Sequence, residues 1–405
     1  MIHFIDQTSE KNHHTVFNSS CIKILQIMYP NETITFHGIL SNQQKTAELL
    51  SEIELKFVVF NSIPNPTVPF SNKFIKFLNL IKKEKIRYKL FEKILKTSSN
   101  SDLIFHSITT FTAFYGLKKL KLKFKVPVIA VLHGDLDFLF ITTNMFEKII
   151  GFVYKKNLSI KATNFYYLLL NKISKTPLIE AGYLNENEIL EIDHPFNSLT
   201  SAVQSQIINQ NTTITFGHIG SMEVYRKNSH LIYDLASRFP VQIKNCQIRF
   251  EVVGLVTKSV ILYKNNFVNE ISGNKDPNIP EYLSRTCYEA AINKLQYSLF
   301  FYNKSQYVFR ASGAIADAIS SSIPLIVLKH PIFEYIFKYA GNVGYICENL
   351  EQMEKLVKKI SLKDPEIIKE HAVQVQNLKI FQTQISISNI GLDLKKQLIN
   401  HLSSK

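Results

Sequence analysis

Short apolar runs alternate with amphipathic stretches along almost the entire chain, and this alternation starts twice. In the first half, five apolar runs of strand length predict β-strands: Ile2–Ile5, Thr33–Phe36, Lys56–Phe60, Asp102–His106 and Pro127–Leu132. Between several of these runs lie stretches with helical periodicity, such as Ser20–Met28. Strands that alternate with helices in this way indicate βαβ units, whose strands form a parallel sheet.

The second half repeats the pattern from its beginning. It predicts strands at Thr213–Ile219, Ile248–Val253, Ser298–Tyr302, Pro324–Leu328 and Gly344–Ile346. It predicts helices at Asn228–Phe239, Tyr282–Lys294, Gly313–Ser320 and Ile332–Tyr339, and over most of the chain from Asp364 onwards. The segment Phe196–Asn211 between the halves is polar and rich in Ser, Asn and Gln, which is the composition of a linker.

The length of the chain fits two domains. A chain of 405 residues is too long for one ordinary core, and an apolar fraction of 45% is enough to fill two. We therefore expect an α/β protein with two Rossmann-like, doubly wound domains that face each other across a cleft. The expected boundaries are 1–196 for the first domain, 197–212 for the linker and 213–375 for the second domain. A helical segment, 376–405, is expected to pack back on the first domain.

Cysteine usage and the N-terminal sequence bear on the compartment. The four cysteines, Cys21, Cys246, Cys287 and Cys347, form no C-x-x-C pair, so we expect reduced thiols rather than a disulfide framework or a zinc site. The chain opens on the strand-like run Met1–Asp6 without the pattern of a signal peptide. It contains no uninterrupted apolar stretch of the roughly 18–20 residues that a membrane-spanning helix needs. These features predict a cytoplasmic protein.

The positive charge of the chain is concentrated in two segments. Lys73–Lys96 holds nine Lys or Arg residues against two Glu, and Lys118–Lys125 adds five lysines without an acid, so that the two carry twelve of the fourteen net charges. In the first segment the lysines alternate with Phe and Ile at helical spacing. Such a helix binds an anionic membrane interface, and we expect the five lysines of Lys118–Lys125 to belong to the same basic surface patch. The alternative is a solvated lysine face above an ordinary core contact. Nucleic acid is not the expected partner, because no recognition motif accompanies the lysines.

The strongest local motif is Tyr307–Ile319, a loop that enters a helix after a strand. Ser312 is expected to cap this helix, and Gly313 lets a bound group approach the backbone. Free N–H groups at the helix N-terminus, with Arg310 as a bidentate donor, favour a diphosphate. Asp317, on the same helix face as Gly313, is expected to accept hydrogen bonds from ribose hydroxyls. The alternative is an ordinary capped helix beside an exposed arginine.

The order of these parts resembles the donor-binding domain of GT-B glycosyltransferases, especially the large retaining family 4. In that family a glycine-containing loop with an acidic residue enters a helix ending in Ala-x-x-x-Gly-x-Pro-Val-Ile, and Asp317–Ile326 is the equivalent here. The family's second glutamate, which binds ribose, falls on Asp317. Its first glutamate falls on Phe309, so the full E-x7-E pattern is absent. This departure leaves open whether a transfer would retain or invert the anomeric configuration.

A second match to the family is Phe216–Ser221, followed by Arg226 and Lys227. It is similar to the strand, glycine loop and Lys-Gly element that opens the C-terminal domain of the family, where an Arg and a Lys hold the diphosphate. The resemblance implies that Gly220 lies in the phosphate loop, that Lys227 binds the diphosphate and that Arg226 assists. Ser221 stands where the family usually has an arginine.

In the first domain, Val128–Gly134 resembles the strand and histidine that lie beneath the donor sugar in such enzymes. The resemblance implies that His133 contacts the transferred sugar; a structural histidine is the alternative. Asp135 and Asp137 follow closely, and either would suit the orientation or deprotonation of an acceptor hydroxyl. Exposed loop acids that are merely solvated are again the alternative.

The resemblance as a whole implies a hexosyl-type glycosyltransferase. It would take a nucleoside-diphosphate sugar as donor, need no metal or other cofactor, and act on a glycan or lipid-linked acceptor. The expected setting is bacterial surface-polysaccharide synthesis, such as capsule or O-antigen, on the inner face of the cell membrane. Two alternatives remain: a nucleotide-sugar epimerase of the same fold, and a non-catalytic partner subunit.

Overall fold

The computed structural model describes residues 1–64, 73–195, 208, 213–273, 281–304, 306 and 308–403, and within these ranges the side chains of 73–78, 80, 134 and 135 are not described. The chain divides into two compact units. The first contains Met1–Asn197, Phe309–Ala311 and Ile387–Lys405, and the second contains Ser198–Val308 and Ser312–Ser386.

The first unit is built on a parallel sheet of seven strands in the order β3-β2-β1-β4-β5-β6-β7. The strands are β1 (Ile2–Asp6), β2 (Ile34–Gly38), β3 (Val58–Ser62), β4 (Leu103–His106), β5 (Val128–Leu132), β6 (Phe165–Leu169) and β7 (Ile189–Glu191). The helices are α1 (Thr15–Met28), α2 (Leu40–Ala47), α3 (Glu52–Leu55), α4 (Lys73–Thr97), α5 (Ala113–Lys121), α6 (Met145–Ser159), α7 (Lys175–Glu180) and α16 (Ile387–Ser403). Short 3-10 helices cover Gly134–Leu139, Lys172–Ser174 and Glu186–Glu188.

Helices cover both faces of this sheet, as two neighbouring residues of β6 illustrate. The ring of Tyr166 stacks on His401 of α16, whereas the ring of Tyr167 contacts Phe114 of α5. Because successive strand residues point to opposite faces, α16 lies on one face and α5 on the other. A strand between two helical layers must be apolar on both sides, and all five residues of β6 are buried.

The second unit is built on a parallel sheet of six strands in the order β10-β9-β8-β11-β12-β13. The strands are β8 (Ile214–Ile219), β9 (Ile248–Val253), β10 (Val268–Ile271), β11 (Tyr297–Phe300), β12 (Leu325–Leu328) and β13 (Gly344–Cys347). The helices are α8 (Val224–Lys227), α9 (Leu231–Ser237), α10 (Pro240–Lys244), α11 (Arg285–Ile292), α12 (Gly313–Ser320), α13 (Pro331–Ala340), α14 (Leu350–Ser361) and α15 (Pro365–Gln384), with a 3-10 helix at Lys258–Tyr263.

The predicted α/β class with two parallel, doubly wound sheets is confirmed. The sequence analysis did not predict β6, β7 and β10, whose short runs show no strict alternation of apolar and polar residues. The helix predicted over Asn228–Phe239 is wrong in its extent. Asn228 ends α8 in the left-handed conformation (φ 49°), and α9 starts only at Leu231.

One expected segment boundary differs from the structure, and another falls on residues that the structure does not describe. The expected linker 197–212 lies outside the described residues, except for Ile208, which is buried in the core of the second unit. The C-terminal segment divides at Ser386 rather than at residue 376, because α15 belongs to the second unit and α16 to the first. There α16 packs closely on α1, since a Cβ added to Gly391 would lie 2.8 Å from Ile27.

The basic segment Lys118–Lys125 is only partly a surface feature. Lys118 and Lys121 are 1% and 2% exposed, and both ammonium groups donate to backbone carbonyls inside the first unit. The expectation that all five lysines form a surface patch is therefore wrong for these two. Among the described residues, no helix combines the length and apolar composition that crossing a bilayer requires.

Buried histidines make the stability of the first unit sensitive to acid. Burial lowers the pKa of His106 in β4 from 6.5 to about 4. As the pH falls below 6.5, His106 becomes protonated in the unfolded chain but stays neutral in the folded protein. The free energy of unfolding therefore decreases progressively between about pH 6.5 and pH 4. We expect this residue to account for up to about 3 kcal/mol of that loss.

The variant His106→Gln is expected to lower the number of protons taken up on unfolding by about one over this interval. Urea unfolding at pH 7.5, 6 and 5 measures this directly. The same dependence of the unfolding free energy on pH in wild type and variant would contradict the assignment, whatever the absolute stability of the variant.

Candidate functional site

The order of strands in the second unit marks one place at which a ligand is expected. From β8 the chain continues to β9 on one side of the sheet, whereas from β11 it continues to β12 on the other side. Because β8 and β11 are neighbours, the loops after them leave the sheet in opposite directions. In open α/β sheets, the crevice at the carboxyl ends of such a strand pair is where ligands bind.

The glycine loop after β8 lies directly against the helix that follows β11. Gly220 has φ 90°, and a Cβ added to it would lie 3.1 Å from the Cβ of Ala314 in the first turn of α12. A Cβ on Gly254, after β9, would lie 2.4 Å from the carbonyl oxygen of Gly220. The close packing thus requires glycine at both positions, and it brings together two motifs that are about ninety residues apart in the sequence.

The N-terminus of α12 has the geometry of an anion-binding site. The Ser312 hydroxyl accepts a hydrogen bond from the N–H of Ile315 (3.3 Å), and the Ser312 carbonyl accepts one from Ala316. The Tyr302 hydroxyl lies 2.7 Å from the Ser312 hydroxyl and fixes its orientation. The N–H groups of Gly313 and Ala314 therefore head the helix without an intrahelical acceptor. A Cβ added to Gly313 would meet no atom within 4 Å, so this end of the helix is open.

Lys227 brings a buried cation to the glycine loop. Its side chain is 9% exposed, and its ammonium group donates to the carbonyl of Ser221 (3.2 Å). Burial lowers the pKa of this lysine, and Glu223 opposes that shift. Arg226 is more exposed and lies 3.5 Å from the Glu223 carboxylate. A cation in so dry a place is stabilised by an anion, and the glycine loop to which Lys227 is bonded packs on the first turn of α12.

Helix α8 is tied to the end of β11. The side-chain amide of Asn228 donates to the carbonyl of Phe301 (3.1 Å), and the N–H of Asn303 donates to the carbonyl of Arg226 (3.0 Å). Since α8 follows the glycine loop, these bonds fix Lys227 relative to both loops of the strand pair.

Asp317 lies one turn into α12 and is held by two residues of α11. Arg285 donates to its Oδ1 through both terminal nitrogens (3.3 Å each), and the Tyr288 hydroxyl donates to Oδ2 (2.9 Å). Burial raises the pKa of Asp317, and the Arg285 charge opposes this. Sequence reasoning missed Arg285 and Tyr288, since nothing in their local sequence reveals that they face a carboxylate of another helix.

In the first unit, His133 lies at the corresponding strand pair, β1 and β4. Its Nε2 donates to the carbonyl of Ser107, just after β4 (2.8 Å), because a carbonyl oxygen can only accept. The Ser107 hydroxyl donates to the Asn18 side-chain oxygen (2.6 Å), and Asn18 donates to Asp6 (2.7 Å) at the end of β1. A chain of buried hydrogen bonds thus orients the imidazole.

Two further histidines surround His133, and neither was predicted as a site residue. His14, the N-cap residue of α1 in the left-handed conformation (φ 57°), packs edge-on against it at 5.2 Å between ring centroids. Burial, with the neighbouring His133, lowers the pKa of His14 to about 3 and that of His194 to about 4. These two rings are therefore neutral at pH 7. His14 and His133 lie on distant parts of the chain, so no local sequence pattern could have revealed that their rings are in contact.

The buried Asp137 forms an ion pair with the half-buried Arg310 within the first unit. Asp137 Oδ2 accepts from Arg310 Nε (2.7 Å), and Oδ1 accepts from the N–H of Phe309 (2.9 Å). The ring of Phe309, at the position of the family's first glutamate, lies 4.6 Å from that of Phe140. Both oxygens of Asp137 are thus engaged, which suits holding the segment Phe309–Ala311 better than accepting a proton. Asp135 lies in the 3-10 helix Gly134–Leu139, and its side chain is outside the described atoms.

Comparison with known proteins identifies the fold. No protein-family model and no curated protein sequence matches the chain. Among solved structures, HepE from Anabaena in complex with UDP has a TM-score of 0.63 at 14% sequence identity, and the match covers 100% of each chain. The lipopolysaccharide outer core galactosyltransferase WaaB has a TM-score of 0.58 at 13% identity, over 100% of this chain and 99% of that one.

A third similar structure is WaaG, a glycosyltransferase involved in lipopolysaccharide biosynthesis, with a TM-score of 0.59 at 9% identity over 98% of this chain and 99% of that one. At such low identities the likeness concerns the fold. The chain has the GT-B fold, with one Rossmann-like sheet in each unit, as the resemblance of its motifs predicts.

Proposed function

We propose that this protein is a glycosyltransferase that moves a sugar from a nucleoside-diphosphate sugar to an acceptor. One observation carries the proposal: in the second unit, a glycine loop, an open helix N-terminus and a buried lysine converge at the carboxyl ends of β8 and β11. Backbone N–H groups, a helix dipole and a cation together are the means by which this kind of fold binds a diphosphate. The fold is shared with HepE, which has been solved with UDP and with UDP-glucose.

In the proposed complex, Gly220, Ser312 and Gly313 surround the diphosphate, and Lys227 neutralises it with the help of Arg226. Asp317 accepts hydrogen bonds from the ribose hydroxyls, and Arg285 and Tyr288 hold its carboxylate in position. Arg310 lies two positions before the cap residue Ser312, and we propose that it also serves the diphosphate. Its Nε is occupied by Asp137, so the remaining guanidinium nitrogens are the donors that it would offer.

The proposed reaction is substitution at the anomeric carbon of the donor. An acceptor hydroxyl forms the new C–O bond and gives up its proton to a base, for which we propose the Asp135 carboxylate. The bond to the diphosphate breaks, and the nucleoside diphosphate leaves with the electron pair. Negative charge grows on the diphosphate in the transition state, where Lys227 and the N–H groups at the start of α12 stabilise it. Because these groups supply the positive charge, the proposal needs no metal or other cofactor.

Residues of the first unit would act on the sugar and the acceptor. The imidazole of His133 is held in place by its bond to the Ser107 carbonyl, and we propose that this ring contacts the transferred sugar. Asp135 and Asp137 are the proposed carboxylates near the acceptor, with Asp137 orienting its surroundings through the Phe309–Ala311 segment.

We further propose a glycan or lipid-linked acceptor in bacterial surface-polysaccharide synthesis, on the inner face of the cell membrane. WaaB and WaaG, which share the fold, are described as lipopolysaccharide enzymes. The lysines of α4 that are exposed, among them Lys82, Lys85 and Lys89, support attraction to anionic lipid.

Calorimetry with UDP and GDP, followed by transfer assays with a panel of nucleotide sugars, tests the proposal. A glycosyltransferase should bind one of the two nucleotides and consume the matching donor. A protein that binds neither nucleotide would be the non-catalytic subunit, and one that interconverts two nucleotide sugars without an acceptor would be the epimerase; either result would overturn the proposal.

The variant Arg310→Ala is expected to lower turnover by roughly 10²- to 10³-fold, because a cation that stabilises the leaving diphosphate is lost. Arg249→Ala, at an exposed position of β9, is the matched control and should keep wild-type turnover. Unchanged turnover of Arg310→Ala would remove this arginine from the site.

A further inference from the structure

Helix α6 carries a row of large apolar side chains that no described residue of the chain covers. Met145, Phe146, Ile149 and Phe152 are 56–70% exposed, and we call these four residues the α6 stripe. Met145, Ile149 and Phe152 recur at the spacing of one helix face, and Phe146 flanks them. Single exposed apolar residues are ordinary, but four on two turns of one helix form a patch that marks an interaction surface.

The α6 stripe is not the face through which α6 packs on the core of the first unit. The opposite face of α6 already packs inside the first unit through Ile150, Tyr154 and Leu158, which are nearly or completely buried. A Cβ added to Gly151 would lie 2.1 Å from the carbonyl oxygen of Phe138, so the backbone of α6 is pressed against the preceding 3-10 helix. The helix is fixed with its second apolar face directed outward.

The surroundings of the stripe are strongly basic. On α6 itself Lys148, Lys155 and Lys156 are exposed, and Lys156 extends over the Phe152 ring at 5.7 Å. The one acid of the helix, Glu147, accepts from the N–H and hydroxyl of Thr143 (2.7 Å each). Long lysine side chains around an apolar row can bury their stems with it and keep their charges in water.

The same surface continues over the neighbouring helices α5 and α4, which pack side by side with α6 on one face of the sheet. Helix α5 exposes Tyr115 beside Lys119, and the sequence 113–125 contains no acid. The two glutamates of α4 are engaged by Arg87 and Lys96 within the helix. In its described part, the exposed surface of these three helices therefore combines the apolar α6 stripe with lysines on each helix.

We infer that the α6 stripe inserts into the interface of an anionic lipid bilayer, with the lysines of α4, α5 and α6 at the headgroup level. This inference rests on the proposed function, which already places the protein at an anionic membrane. What is new is that α6 is the helix whose side chains enter the bilayer. An apolar row rimmed by cations is the pattern of helices that lie in a bilayer interface. A second copy of the chain fits poorly, because a symmetric contact would bring the same lysines face to face.

Insertion and simple electrostatic adsorption respond differently to salt. Attraction between lysines and lipid headgroups is screened as ionic strength rises, whereas burial of the stripe in the acyl region is not. Wild-type protein should therefore bind vesicles of equal parts phosphatidylglycerol and phosphatidylcholine, and part of this binding should persist at high salt. Vesicle flotation requires neither donor nor transfer, so its outcome is independent of the proposed enzymatic activity.

The absence of tryptophan from the sequence gives a direct reporter of insertion. In Phe146→Trp the single indole should shift its emission to the blue on addition of these vesicles, and lipids brominated in the acyl chain should quench it. The control Leu392→Trp, on α16 at the other face of the sheet, should show neither effect; Leu392 is 60% exposed in wild type, so both variants should fold normally.

The double variant Phe146→Ser with Phe152→Ser should lower the vesicle partition coefficient at least about tenfold at high salt, while Ile53→Ser with Leu392→Ser should not change it. Three results would overturn the inference: an indole at position 146 that vesicles leave unshifted and unquenched, a serine double variant that floats like wild type, or a wild-type dimer that the same variant converts to a monomer. The last result would assign the stripe to a contact between copies.

Discussion

Replacing Lys227 with alanine should weaken the binding of UDP or GDP, whichever nucleotide the protein takes, by roughly 30- to 150-fold, equivalent to about 2–3 kcal/mol. Lys227 is a buried cation fixed beside the glycine loop by Ser221 and by the bonds of α8 to the end of β11. A diphosphate at the start of α12 would lose its main counter-charge. Turnover should fall by at least about 100-fold, because charge on the diphosphate increases in the transition state.

Calorimetry measures the first effect and a transfer assay the second. Lys244→Ala, at an exposed position of the same unit, is the control and should change neither quantity. A Lys227→Ala protein that remains folded and binds the nucleotide with wild-type affinity would show that the diphosphate is not bound at this loop.

Replacing Lys118 with methionine should destabilise the protein by about 3–5 kcal/mol. The ammonium group of Lys118 is 1% exposed and donates to the carbonyls of Asn157 (2.9 Å), Leu158 (3.2 Å) and Ile160, at and just beyond the last turn of α6. It also lies 5.0 Å from the centre of the Tyr167 ring. Methionine fills the space but leaves helix-end carbonyls without a donor in a dry environment.

Urea unfolding of wild type and variant measures this effect. The neighbouring Lys119 is exposed, so Lys119→Met is the matched control and should stay within about 0.5 kcal/mol of wild type. Equal losses in the two variants would indicate a general effect of removing positive charge from α5. No loss in Lys118→Met would mean that the carbonyls find other donors.

The charge pattern shows how far local sequence can mislead about a surface. Lys118–Lys125 reads as a uniform basic segment, yet Lys118 and Lys121 serve as internal donors and only their neighbours face solvent. Conversely, the exposure of the α6 stripe could not be predicted from the sequence. A helix that is apolar on two faces has the same sequence pattern whether its second face is covered or exposed.

The sequence by itself determined the α/β class, most strand positions, and the residues that cap and open α12, since these depend on periodicity, on glycine and on a serine at one place in the chain. The resemblance to the family also joined Gly220 and Lys227 in one motif, because the two residues are close together in the sequence. What only the tertiary structure decided are the partners of these residues: Arg285 and Tyr288 on Asp317, Asp137 on Arg310, and His14 beside His133. Each pair joins positions more than thirty residues apart or on separate elements, and side chains that far apart meet only through packing, which leaves no pattern in the local sequence.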